Sequence, residues 1–236
     1  KTFWTIRSIA YLLLWVGVAI TLRKFSLKED LEGTTKWFLR TKFWSAIFLI
    51  IWAVTSSTMA WDWVMSLDPH WYSTLFGWYV FASFFVSGIT TITMVTFYLK
   101  SKGYLEYVNK SHIHDLAKFM FGISVFWTYL WFSQFMLMWY SNIPEEVTYF
   151  VTRINEFRWL FWGMVILNFL LPLLILVSAD MKRIQNVVII AGMIILMGHY
   201  VDFYVMIMPA TVGSQWQIVI PEIGSVLFFL GLFIFI

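Results

Sequence analysis

In the run Met197-Gly-His-Tyr-Val-Asp-Phe-Tyr204, His199 and Asp202 stand three positions apart, which on a helix places them on one face. An imidazole and a carboxylate in contact form the smallest unit of a proton relay, because each takes up and releases a proton. The other reading of this spacing is a structural hydrogen bond that locks two helices together. A second group gathers between two apolar runs at Trp61-Asp-Trp-Val-Met-Ser-Leu-Asp-Pro-His-Trp-Tyr-Ser-Thr-Leu-Phe-Gly77, which holds Asp62, Asp68 and His70, and Glu222 follows Pro221 at the head of a later run. Converging on Asp202, these would make an acidic vestibule from which protons leave. Simpler roles compete: Glu222 suits the first turn of a helix with Pro at N1, and Asp68-Pro69 suits a turn.

At the far end of the same path, Ser111-His-Ile-His-Asp-Leu-Ala-Lys118 crowds His112, His114 and Asp115, as a proton-collecting entrance would. Helix capping by Ser111 and an Asp115–Lys118 pair would use the same residues differently. Between the two mouths Ser83, Ser87 and Thr90 recur at i, i+4 and i+7, followed by Ser124, Thr128, Gln134 and Asn168 with Pro172. They read either as a polar ladder or as close packing of small residues beside a carbonyl that Pro frees.

The elements that carry these residues are membrane helices. The chain is 61% hydrophobic and 12% charged, with a mean hydropathy of +0.77, far from the composition of soluble domains. A helix rising about 1.5 Å per residue needs roughly 20 apolar residues to cross about 30 Å of hydrocarbon. Seven runs approach or exceed that length: Trp4–Leu22, Phe43–Ala60, Leu75–Leu99, Leu116–Tyr140, Trp159–Ser178, Val187–Met208 and Ile223 to the end. The fold class expected is therefore all-α, a polytopic transmembrane helix bundle forming a single membrane domain over residues 1–236. The opening on Lys1 and the close on Phe233–Ile236 without a polar exit read as an internal piece of a longer protein. On this helix register His199 and Asp202 lie about 18 and 22 Å from the start of their span near Val187. A carboxylate at such depth costs at least ~2.5 kcal/mol on lipid, so it should face the bundle.

Twelve of the sixteen basic residues fall in the connections after spans one, three and five: Arg23, Lys24, Lys28, Lys36, Arg40 and Lys42, then Lys100, Lys102, Lys110 and Lys118, then Lys182 and Arg183. Only Lys1, Arg7, Arg153 and Arg158 fall on the other side. The positive-inside rule makes the first side cytoplasmic and the Trp61–Gly77 connection external. The basic loops then face anionic lipid headgroups, so the net charge of +3 calls for no nucleic acid. Trp61, Trp63, Trp71, Trp139, Trp159 and Trp216 map to the outer boundary as an aromatic belt. The outer connection from Ser141 to Phe157, with Glu145, Glu146, Arg153 and Glu156, reads as a mixed, solvated face. With no Cys, this segment cannot ligate an iron–sulfur cluster or attach a c-type haem. Only one of its four His, His199, lies deep in a span, so a bis-His haem lacks a second ligand, and the twelve Met read as packing.

Asp62-Trp-Val-Met-Ser66 followed by Asp68-Pro-His-Trp-Tyr-Ser-Thr-Leu-Phe-Gly77 resembles the signature of the ActF-type membrane subunit of bacterial alternative complex III, within the wider NrfD/PsrC group of quinone-associated membrane proteins. His112-Ile-His114-Asp115-Leu-Ala-Lys118-Phe119 is similar to a second part of that pattern. The resemblance runs over nearly the whole chain and implies a subunit of about ten helices, about seven of them present here. It further implies a place in the bacterial inner membrane, in a respiratory complex that oxidises menaquinol-like quinols. Partner subunits would hold the c-type haems and Fe–S clusters and pass electrons to a cytochrome c or a terminal cytochrome oxidase. The sister subunit ActC would bind the quinol, and this chain, without a cofactor, would take part in proton movement. Three other functions compete. One is that the segment is itself a quinol site with His199 or Asp202 as base. A secondary transporter should show paired broken helices and an inverted repeat, which are not evident. A pure scaffold leaves Asp202 unexplained.

Overall fold

The computed structural model describes residues 2–218 and 220–235, and all the regular structure among them is helical. In chain order the helices are α1 (Thr2–Glu32), α2 (Thr35–Trp63), α3 (Leu75–Ser101), α4 (Lys110–Ser141), α5 (Pro144–Glu156), α6 (Arg158–Val165), α7 (Leu171–Leu176), α8 (Gln185–Thr211) and α9 (Ile220–Phe235). Five residues in π geometry, Ile166–Leu170, join α6 to α7 into one rod.

Six stretches are long and apolar enough to cross a membrane: Thr2–Glu32, Thr35–Leu67, Leu75–Ser101, Lys110–Ser141, Arg158–Leu176 and Gln185–Thr211. Their outward faces are as apolar as their interior, with Leu13, Ile50, Val54, Ile92, Leu137 and Met197 all exposed. A bundle dissolved in water would not leave so broad an apolar surface uncovered, and the chain is a multi-pass helical membrane protein. The seventh apolar run forms α9, whose 16 residues rise about 24 Å, short of a full crossing. Its last residue, Ile236, lies outside the described residues, as does Lys1.

The helices outrun the apolar runs. The basic stretch from Arg23 to Lys42 is helical on both sides of a two-residue turn at Gly33 and Thr34. Gly33 takes the left-handed conformation, φ +61°, and its N–H closes α1 on the Glu29 carbonyl at 2.8 Å. Trp37 anchors that end: its indole donates to Glu32 at 2.5 Å, and Lys28 and Arg40 lie 4.5 and 4.9 Å over its ring.

The connection from Ser141 to Phe157 is a solvated face on one side only. It folds as α5, whose one face buries Tyr149, Phe150 and Arg153 while Glu145 and Glu156 stay exposed. The periodicity is amphipathic, and Arg153 falls on the buried face because it has partners there.

α1 and α2 pair at the edge, while α3, α4, the α6–α7 rod and α8 enclose the core. Two apolar clusters fill it. One holds Trp71, Phe76, Tyr79, Trp127, Trp131, Phe150 and Phe161 toward the Trp71 end. The other holds Val86, Met120, Leu176, Val188 and Ile195 toward the basic end. On every core helix a buried polar side chain falls at the seam between them: Ser83 on α3, Ser124 on α4, Asn168 on the rod, and His199 and Asp202 on α8. The bundle thus carries a polar layer within an apolar core.

Candidate functional site: a caged carboxylate in the bundle

Asp202 is wholly buried and receives hydrogen bonds from two neighbouring helices. The Tyr79 hydroxyl donates to Oδ1. The Ser83 hydroxyl reaches Oδ2 at 2.9 Å, and the Trp127 indole N–H lies 3.1 Å from the same oxygen and 2.8 Å from Ser83 Oγ. Tyr79 and Ser83 are i and i+4 on α3, so one face supplies both. Ser83 Oγ also lies 3.2 Å from the Tyr79 carbonyl, so its single proton has two acceptors. Hydrogen bonds to a charged group contribute about 1.5–3 kcal/mol each. A set of this size offsets the cost of holding a carboxylate at this depth.

His199 approaches the cage without closing on it. Its Nδ1 lies 3.5 Å from Asp202 Oδ2, and neither ring nitrogen makes a hydrogen bond with the described residues. Its ring stands edge-on to Trp127, with centroids 5.4 Å apart at 89°. The i, i+3 spacing brings the pair together as expected, but Tyr79, Ser83 and Trp127 hold the shorter contacts.

Asn168 is buried in the π-helical turn with neither amide atom hydrogen-bonded among the described residues. It lies against Gly198, the residue before His199, so tightly that a Cβ on Gly198 would fall 2.2 Å from its Oδ1. Ser124 Oγ and Thr90 Oγ1 are likewise buried and unpartnered among the described residues. Ser87 turns its hydroxyl back to the Ser83 carbonyl at 2.7 Å. The ladder along α3 therefore breaks after Ser83 into a local back-bond and an isolated hydroxyl.

Toward the Trp71 end, Arg153 of α5 enters the core. Its Nε donates to the Val205 carbonyl at 3.0 Å, Nη2 to Met206 at 3.1 Å and Nη1 to Tyr149 at 2.9 Å. Its guanidinium lies 3.3 Å over the Tyr149 ring, which Trp71 stacks at 3.8 Å. Burial pushes the Arg153 guanidinium below its ordinary range, and Tyr149 and Asp68 act in the opposite sense. Burial also pushes the Tyr149 phenol up, with Arg153 pulling it back. A cavity of about 10 Å³ lies among Tyr79, Gln134, Tyr149 and Arg153, space on the order of one water molecule.

The expected vestibule does not assemble on Asp202, whose partners among the described residues are Tyr79, Ser83, Trp127 and His199. Asp62 instead binds α1, with Arg7 Nη2 at 2.6 Å and Tyr11 at 3.2 Å. An arginine of the neighbouring helix takes the carboxylate because α1 and α2 run side by side to their ends. Asp68 makes a turn, its carbonyl accepting from the Trp71 N–H at 3.2 Å, and its charge bears on Arg153. His70 is exposed. Glu222 occupies the first turn of α9, and the Tyr200 hydroxyl reaches its carbonyl at 3.4 Å. Trp71 leaves the expected belt for the core, stacked as described, while Trp139 and Trp159 stay exposed.

At the basic end the N-cap of α4 is Asn109 rather than Ser111. Its side chain accepts from the N–H groups of Ser111 and His112, and His112 Nδ1 accepts from the Asn109 N–H at 3.2 Å. Asp115 pairs with Lys118 at 3.1 Å on the exposed face. Capping and a surface ion pair thus occupy His112 and Asp115. His114 is half-buried, its Nε2 unpartnered among the described residues.

Sequence reasoning passed over Tyr79, Trp127 and Tyr149, and placed Arg153 on a solvated face. The i, i+4 register of Tyr79 on Ser83 was available as a signal, and so was Pro209 four residues beyond Val205. Among the described residues no group of three or more His, Asp or Glu is arranged to hold a metal. No protein-family model matches the chain, and no curated protein matches it either.

Proposed function

We propose that this chain is a membrane subunit of a quinol-oxidising respiratory complex of the alternative complex III type, and that Asp202 is its proton-carrying site. The observation that carries the reading is the caged carboxylate: it is wholly buried, and its hydrogen-bond donors are neutral hydroxyls and an indole rather than a lysine or arginine. Evolution has cheaper ways to join three helices than a buried acid. His199 at 3.5 Å supplies the exchange partner, and the unpartnered buried groups of Asn168, Ser124 and Thr90 mark where water would continue the path toward the basic end. His114 stands where that path would open.

In this reading the sister subunit ActC binds menaquinol, partner subunits carry the c-type haems and Fe–S clusters, and a terminal cytochrome oxidase or cytochrome c accepts the electrons. The Trp61–Gly77 connection faces the periplasm. The motifs at Asp62–Gly77 and His112–Phe119 support the family assignment. A quinol headgroup bound directly to Asp202 would have to displace Tyr79 or Trp127, which weighs against the chain as the quinol site. The test is Asp202→Asn in the assembled complex in proteoliposomes, with quinol turnover and proton release followed together. Lost proton release with intact assembly supports the relay, and unchanged proton release refutes it.

A further inference from the structure

Gln134 stands between two spaces. On one side an open cleft of about 330 Å³ at the Trp71 end is lined by Tyr72, Ser73, Thr74, Ser141 and Glu146 as well as Gln134. On the other is the small cavity bounded by Tyr79, Tyr149 and Arg153, which Gln134 also lines. The residue is only 3% exposed, and its amide makes no hydrogen bond with the described residues. A buried primary amide left without partners costs about 1–3 kcal/mol, and it has two donors and an acceptor to offer. Here the residue lines two spaces that water can enter. Among the described residues that line the small cavity, Gln134 alone also lines the cleft, so its amide is a polar link between the two.

We propose that Gln134 gates a water path from the outer cleft to the Tyr79 hydroxyl, and through it to Asp202. Its purpose rests on Asp202 being the proton site; its existence does not. The proton step balances without charging the phenol. A proton on Asp202 passes to Tyr79 Oη as the phenol's own proton passes to a water in the cavity, and the hydroxyl then turns back to the carboxylate. The water hands its extra proton toward the cleft across the amide, which positions water and carries no proton itself. The Arg153 guanidinium on the cavity wall disfavours a resting hydronium, so a proton crosses the cavity rather than lodging in it. Glu146 at the cleft then receives it at the surface.

The test reads water rather than protons. Met206 and Met164 line the small cavity and are 4% and 2% exposed, while Met138 lines the cleft. In the intact complex in nanodiscs, brief hydroxyl-radical footprinting should oxidise Met206 and Met164 measurably, since thioether oxidation follows access to water. Gln134→Leu should lower labelling at those two by about fivefold or more while leaving Met138 unchanged, because a dry leucine removes the polar link. Gln134→Glu, which keeps a polar end, should preserve it. Unlabelled Met206 and Met164 in the native complex, or labelling unmoved by Gln134→Leu, overturns the proposal. The native measurement alone decides the matter should Gln134→Leu fail to assemble. If labelling behaves as expected while Asp202→Asn releases protons normally, the gate stands and the relay falls.

Discussion

Arg153 donates its Nε–H to the Val205 carbonyl at 3.0 Å, the carbonyl whose intrahelical partner would be the N–H that Pro209 lacks. A guanidinium from α5 thus completes the hydrogen bonding of α8 one turn beyond Asp202, and a second bond to Met206 at 3.1 Å fixes its plane. The same contact pins α5 over the bundle and sets Tyr149 against the cavity. Buried arginine is costly, and here a proline break supplies one of the acceptors that make it tolerable.

Arg153→Met should therefore destabilise the fold by about 3 kcal/mol, since it removes the side-chain donors from the Val205, Met206 and Tyr149 carbonyls. Arg153→Lys should recover part of the loss, an ammonium reaching one acceptor but not the fork of two. Denaturant titration of the purified protein in mixed micelles checks this. A midpoint for Arg153→Met equal to the native one would show that the staple contributes nothing.

This residue also shows where sequence reasoning stops. The apolar runs, the all-helical class and the burial of His199 and Asp202 on one helix followed from length, hydropathy and a three-residue spacing, because lipid forces every backbone group into a helix. Which charged residues meet does not follow from spacing. Asp62 sits at the end of its helix as expected, yet its partner Arg7 is 55 positions away, and nothing local announces it. Nothing in the spacing singles out Tyr79 and Trp127, whose single polar side-chain atoms α3 and α4 bring onto one carboxylate. Arg153 was assigned to solvent because Arg in a connection usually is solvated. Only the register of α5 against the Pro209 break sends it inward.

Gly198 offers a sharper test of the polar layer. Gly198→Ala would put a Cβ 2.2 Å from Asn168 Oδ1, so it should cost about 1–3 kcal/mol as overpacking. Adding Asn168→Ala to Gly198→Ala should relieve the part of that cost that Asn168 causes, leaving the contact with Leu167 Cβ at 2.8 Å, so the two changes should couple in a double-mutant cycle. Strict additivity would mean that the π-helical turn does not hold Asn168 against α8.

Asp62→Asn should loosen α1 while leaving proton release per quinol unchanged, because its carboxylate faces Arg7 and Tyr11. Assembly and proton yield, measured on the same preparation, separate the two effects. A lost proton yield with intact assembly would restore Asp62 to the path.

Orientation is open to direct labelling. The chain has no Cys, and Tyr72 and Tyr107, 71% and 95% exposed, sit in connections at opposite ends of α3. With the basic loops inside, Tyr72→Cys should react with a membrane-impermeant maleimide in intact cells and Tyr107→Cys only after lysis. The reverse pattern would turn the outer cleft into an inner one.

The central claim is that Asp202 exchanges protons during turnover, and Asp202→Asn tests it most directly, because the amide keeps the shape and most hydrogen bonds of the cage but carries no exchangeable acid. The measurement is proton release per quinol oxidised by the assembled complex in proteoliposomes. The account expects assembly to survive and the proton yield or the turnover to fall by at least about tenfold, in the range that loss of a positioned acid–base group gives. Native turnover with a native proton yield would contradict it and leave the caged carboxylate as a joint between helices.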